Sequence, residues 1–223
     1  MTDRGLTVAL AGSATAAATA PSIRRSQPWR IVLHTASLDV YADARAELTR
    51  EETLLTCGAA VHRARLSLAA DGLAVQVVLL PDADPDHVAR LTPAGRLATE
   101  PARGLPRGDA RLVTAARTEG AELRLLAPAE ASRLAGTLLA TPAPATGQTT
   151  YGVLYGRDGS AAAWIRAGQA LSAIELAAAD AGLSLLASAA AVELSRSQRV
   201  LRDLLPAGAT PFAGLRLQPT RPT

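Results

Sequence analysis

The stretch Ala20-Pro21-Ser22-Ile23-Arg24-Arg25-Ser26-Gln27-Pro28-Trp29 separates two different kinds of sequence. Upstream, Leu6 to Thr19 is alanine-rich and predicts a helix, which Pro21 stops because proline lacks a backbone N–H and clashes with the preceding turn. Downstream, Trp29 to His34 is bulky and β-branched, as strands are, and a turn leads to a second short strand, Leu38 to Tyr41. The decade between them is a loop that joins a helix to the start of a hairpin.

The same alternation runs onward. Thr49 to Asp71 predicts a helix: Leu54, Leu55, Val61, Leu66 and Leu68 fall near a 3.6-residue period, and Glu51 and Glu52 sit in the first turn, where acids complement the helix dipole. Gly72 supplies a left-handed C′ residue and delivers the chain into an apolar strand, Val75 to Leu80. Val88 to Leu91 is a short strand and Pro93 to Pro106 a loop. Asp109 to Thr118 is a helix, Glu122 to Leu126 a strand, and Pro128 to Leu139 a helix. Thr141 to Thr150 carries prolines and a glycine among small polar residues and reads as a flexible connection, 141–150. Val153 to Tyr155 then leads into a second long helix, Ala161 to Ala181, which ends in Gly182-Leu183 much as the first ends in Gly72-Leu73. That match is too short to establish a duplication. The C-terminal residues Leu215 to Leu217 suggest an added edge strand. Strands and helices neither alternate strictly nor segregate, which predicts an α+β sheet-and-helix domain.

Composition narrows the chemistry. The 223 residues, 48% hydrophobic and 19% charged, are enough for a buried core. Lysine is absent, so all 23 basic residues are arginine, and Schiff-base or lysine general-base chemistry is ruled out. Aromatic residues make up only 3%, too few for the stacking platforms of single-stranded nucleic-acid binders. The net charge is +3, and acids and arginines interleave along most of the chain, so nucleic acid is not an expected partner. Cys57 is the only cysteine, which precludes an internal disulfide. His34, His62 and His87 lack ligand spacing, and no metal is expected. Asp82-Ala83-Asp84-Pro85-Asp86 has the alternating carboxylates of a calcium loop, but His87 stands where the glycine is needed, which leaves a polar turn. Leu6 to Ala20 ends in Ala18-Thr19-Ala20, as signal peptides do. Asp3 cancels Arg4 and hydroxyl residues interrupt the apolar run, so a cytoplasmic protein without membrane spans is expected.

The loop motif resembles the A-P-S-x-x-N-[ST]-Q-P-W signature of the nitroreductase superfamily of flavoproteins. The resemblance continues in Leu38-Asp39-Val40-Tyr41-Ala42-Asp43, in Cys57-Gly58-Ala59-Ala60 and in Trp164 to Leu171, an order similar to the Acg-type branch in a shortened form. It implies a nitroreductase-like three-layer α+β sandwich, a central mixed sheet flanked by alanine-rich helices, forming one domain over 1–223. It further implies FMN as cofactor, NAD(P)H and a small-molecule electron acceptor as partners, and a homodimer. Carried over residue by residue, Pro21, Ser22, Arg24, Arg25 and Gln27 become candidate flavin contacts, and Arg216, on the C-terminal strand, a candidate near the phosphate. Arg25 stands where the family usually has asparagine. No side-chain acid or base is nominated, because in such enzymes the flavin carries the reaction. The expected function is an FMN-dependent oxidoreductase, and the alternative is a family member that binds or stores flavin, or serves a structural role, without turnover.

Overall fold

A computed structural model describes residues 3–22, 26–43, 45, 47–97, 108–132, 149–188, 200–201 and 203–220. They fall into two compact units, Met1–Gly104 and Leu105–Thr223. Unit 1 contains α1 (Asp3–Ala18), β1 (Trp29–Leu33), β2 (Leu38–Ala42), α2 (Arg50–Ala70), β3 (Leu73–Leu79) and β4 (His87–Arg96). Unit 2 contains α3 (Asp109–Thr118), β5 (Glu122–Leu125), β6 (Thr150–Gly156), α4 (Ala161–Asp180), β7 (Leu183–Ser188) and β8 (Thr210–Pro219). The class is α+β. Where one central mixed sheet was expected, the described strands form two four-stranded sheets, β1-β2-β4-β3 and β5-β6-β8-β7, with every pairing antiparallel. Among the described strands the two units thus share one strand order.

In unit 1, α1 buries Ala9, Leu10, Ser13 and Ala17 along one stripe, and the buried Ser13 satisfies its hydroxyl on the Leu10 carbonyl at 2.8 Å. That stripe packs on α2, whose residues 52–62 are all buried. Leu55, Leu68, Leu38 and Val40 are wholly inaccessible, each worth roughly 2 kcal/mol of apolar burial. A capping box starts α2: the Glu52 N–H donates to Thr49 Oγ1 at 3.2 Å, and the Thr49 N–H donates to Glu52 Oε2 at 2.9 Å. The chain leaves α2 through Gly72 at φ +76, a conformation that any Cβ would strain, and Gly182 at φ +69 does the same after α4.

In unit 2, α3 and α4 pack together, and Arg111 pairs with Asp180 to join the start of one to the end of the other. Leu126, Tyr151, Val153, Leu201, Leu204 and Leu205 form an apolar cluster on the sheet. Trp164 on α4 meets Phe212 on β8 edge to face at 4.8 Å.

Several sequence expectations are corrected by the pairings. β4 continues through Pro93 to Arg96 instead of stopping at Leu91, because Pro93 sits at a register shift opposite Val75, where a missing N–H breaks no ladder bond. The C-terminal strand is an interior strand, not an edge, paired with β6 on one side and β7 on the other. Thr150, assigned to the flexible connection, begins β6, and the rest of that connection other than Thr149 lies outside the described residues. Among the described residues, no helix is long and apolar enough to cross a membrane.

Candidate functional site

The loop that carries the flavin resemblance is tied down at both ends. At its start, α1 closes with the Thr19 N–H on the Ala16 carbonyl (3.0 Å) and the Ala20 N–H on the Ala17 carbonyl (3.1 Å). At its end, the buried Pro28 offers a carbonyl that accepts from the Asp43 N–H at 2.9 Å and from Cys57 Sγ at 3.3 Å. The Gln27 side chain joins the two ends: its Nε2 donates to the Ala18 carbonyl at 2.9 Å, filling one of the acceptors that a helix C-terminus leaves open. Pro21 and Ser22 are half-buried and Gln27 is exposed. Arg24 and Arg25 lie outside the described residues. Arg216 is buried on β8 in unit 2, directly opposite Tyr151 on β6.

Cys57 plays a structural part in this anchorage. Burial is the main cause that pushes its thiol up to about 12; the Arg50 charge opposes this and the Asp86 charge adds to it. A thiol so placed stays protonated at neutral pH and serves as a donor to Pro28, with no nucleophilic role. His62, buried on α2, is pushed down to about 3, first by burial and then by the charges of Arg65 and Arg63. It is a neutral core residue near pH 7.

The chemistry of the loop suits a flavin. A serine hydroxyl and backbone N–H groups match the ring carbonyls, and arginine guanidinium matches a phosphate or a reduced, anionic ring. Gln27, with its nitrogen committed to Ala18, ties the end of the loop to the end of α1. Unit 2 holds a cavity of about 630 Å³ lined by Asp109, Pro128, Ser132, Thr149 and Tyr151, among others. That volume lies within the range of about 300–1,000 Å³ usual for small-molecule sites. Among the described residues, no three His, Cys, Asp or Glu side chains are placed to hold a metal ion.

Sequence reasoning missed a second polar constellation, on the β1-β2-β4 side of unit 1. Asp39 is inaccessible to solvent and receives a two-pronged bond from Arg90, Nε to Oδ1 and Nη2 to Oδ2, both 2.8 Å. His34 Nε2 lies 3.0 Å from Asp39 Oδ2. His87, also inaccessible, places Nδ1 2.8 Å from Asp82 Oδ2 and Nε2 3.5 Å from Asp39 Oδ1, with its ring stacked on Tyr41 at 4.4 Å. Arg30 lies over the Tyr41 ring at 4.5 Å. Burial pushes the Asp39 carboxyl up, but the hydrogen bond and charge of Arg90, the charge of His87 and the hydrogen bond from His34 outweigh it, and the net direction is down. Asp82 is also held below the ordinary carboxylate range, mainly by its bond to His87 and then by the Asp84 N–H. The only signal in the sequence was a set of polar residues at strand positions. The partners are as many as 51 residues apart, and only the register brings them together.

Neither a protein-family profile nor a curated protein sequence matches the chain. Among solved structures, it is similar to NfrA1 nitroreductase from B. subtilis, with 15% identity, 50% of this chain covered and a TM-score of 0.40. The match spans 56% of that protein's own length. It is also similar to a protein from Thermotoga maritima assigned as a nitroreductase, with 14% identity, 89% of this chain and 78% of that chain covered, and a TM-score of 0.41.

Proposed function

We propose that this protein is an FMN-dependent oxidoreductase of the nitroreductase superfamily, of the shortened Acg type, with 1–223 working as one functional domain in a cytoplasmic homodimer. It passes electrons from a reduced nicotinamide to a small-molecule acceptor. The observation that supports this reading is the loop 20–29, whose sequence resembles the family's signature and which is braced by Gln27 against the end of α1 and by Pro28 against Cys57 and Asp43. When bound, FMN supplies the electron-accepting and electron-donating chemistry that these side chains lack.

The chain's own residues bind and orient. Pro21 would fix the bend, and Ser22 and the neighbouring backbone N–H groups would donate to ring carbonyls. Arg24 and Arg25 would set positive charge against the phosphate or the reduced ring. Gln27 is a positioning residue that keeps the donors in register.

The test is an anaerobic titration of the FMN-loaded protein with NADH and then NADPH. Loss of the visible flavin absorbance, restored by a quinone or nitroaromatic acceptor, is the expected result. A yellow protein that neither nicotinamide bleaches would mean storage without turnover and would overturn the enzymatic reading.

A further inference from the structure

The cavity of unit 2 has a chemistry of its own. One wall is the corner where β5 ends and the helical residues 128–132 begin, and local bonds hold that corner. The Leu126 N–H donates to the Tyr151 carbonyl at 2.9 Å, the Ala127 N–H to Glu130 Oε2 at 3.0 Å, and Ser132 Oγ to the Pro128 carbonyl at 3.0 Å. Leu125, Leu126, Ala131 and the Tyr151 ring give the cavity its apolar lining, and Asp109, in the first turn of α3, is its one charged lining group among the described residues. A volume of about 630 Å³ is room for a ligand of one or two rings.

The polar groups there have unused capacity, and nearly all of it is acceptor capacity. Among the described residues, neither the Asp109 carboxylate nor the Tyr151 hydroxyl makes a hydrogen bond or an ion pair. Tyr151 is only 9% exposed, and its hydroxyl is not among the atoms shut off from solvent without a partner, so the little that solvent reaches includes that oxygen. Ser132 Oγ has spent its hydrogen on Pro128 and keeps its lone pairs. Cations that could neutralise Asp109 from within the unit are already engaged: Arg124 Nη2 donates to Glu130 Oε1 at 2.8 Å, and Arg111 pairs with Asp180. An anionic ligand is disfavoured. The start of α3 has no side-chain cap, since Gly108 is the N-cap, but the Asp109 carboxylate already supplies the negative charge that a helix N-terminus attracts and repels a second one.

We propose that this cavity is a binding site for a small organic ammonium ion. The apolar body of the ligand lies on Leu125, Leu126, Ala131 and the Tyr151 ring, and its N–H groups donate to the Asp109 carboxylate at the rim. The apolar wall supplies affinity, and the carboxylate supplies the sign of charge that is accepted. The site stands apart from the flavin reading, because none of its residues belongs to the 20–29 loop.

The test is a titration of the full chain, labelled with ¹⁵N, with three probes of similar shape: 2-phenylethylammonium, 2-phenylethanol and 3-phenylpropanoate. The ammonium ion is expected to bind about three- to fivefold more tightly than the alcohol, as for an ion pair open to solvent, and the carboxylate more weakly than either. The amides of Leu126, Ala127, Ser132 and Thr150 are expected to shift on binding. Asp109 is exposed, so Asp109→Asn leaves the fold intact; it is expected to erase the preference for the ammonium ion while the affinity for the alcohol stays unchanged. Added FMN is expected not to displace the amine, and that outcome is the same whether or not the flavin reading holds. No binding of the amine, shifts confined to other residues, a preference for the alcohol or the carboxylate, a preference that survives Asp109→Asn, or displacement by FMN would each overturn the proposal.

Discussion

The two units use one plan for different purposes. Each orders its four described strands first-second-fourth-third, although unit 2 also has helical residues at 128–132, between β5 and β6, and at 200–201 and 203–204, before β8. In unit 1 the passage from the first helix to the first strand takes residues 19–28 and carries the flavin-type motif. In unit 2 the corresponding passage is Glu119 to Ala121, closed by short-range bonds onto the end of α3. The sheets differ as well. Unit 1 sets Arg90 opposite Asp39, inside a network of five ionisable side chains, whereas unit 2 sets Arg216 opposite Tyr151, beside an apolar cluster. A backbone plan therefore does not fix the chemistry of its sheet. The lengths of the connections and the residue types at a few ladder positions do.

This contrast can be broken or sharpened by substitution. The largest effect is expected at Phe212, buried against Trp164: Phe212→Ala should lower the unfolding free energy by about 4 kcal/mol in chemical denaturation, evenly across neutral pH. Asp39→Asn should cost about 2–3 kcal/mol at pH 7, since it removes a charge-assisted pair and weakens two histidine contacts. Its cost should also depend on pH. The Asp39 carboxyl is held down in the folded state, so its contribution is present above its unfolded value of 3.8 and is lost as pH falls through the lower folded value. The gap between Asp39→Asn and the parent should close in acid while that of Phe212→Ala does not. A gap that is flat with pH would mean that the polar network contributes nothing as a network. The smallest effect is the matched pair Gly72→Ala and Gly182→Ala, each expected to cost about 1 kcal/mol because each places a Cβ at positive φ in open space. Unequal costs would show that the two helix ends, alike in sequence and backbone, are not energetically alike.

Local features were legible in the sequence where local physics decides them. Asp109 to Thr118 is a helix with the bounds expected from the sequence, and the glycines after α2 and α4 adopt the left-handed conformation expected of a C′ residue. The acids of the first turn of α2 were also readable, although Glu52 does more than serve the dipole, because it closes the box with Thr49. What depends on pairing at a distance was not legible. Pro93 and Gly95 look like loop residues until β3 is laid beside them, and Leu215 to Leu217 looks like an edge until β6 and β7 are known to flank it. His87 read as an isolated histidine because Asp39 reaches it only through the β2–β4 register. For the candidate site, Gln27 was named as a flavin contact, and its bond to Ala18 adds a bracing role that the motif does not spell out.

The proposal of a flavin site in the 20–29 loop is tested most directly by equilibrium binding of FMN to the full chain, followed by the quenching of flavin fluorescence. The account predicts saturable binding that Arg25→Ala weakens by about tenfold or more, as expected for loss of a charge-assisted contact worth roughly 1.5–3 kcal/mol. FMN that fails to bind, or that binds equally well to the parent and to Arg25→Ala, would contradict it.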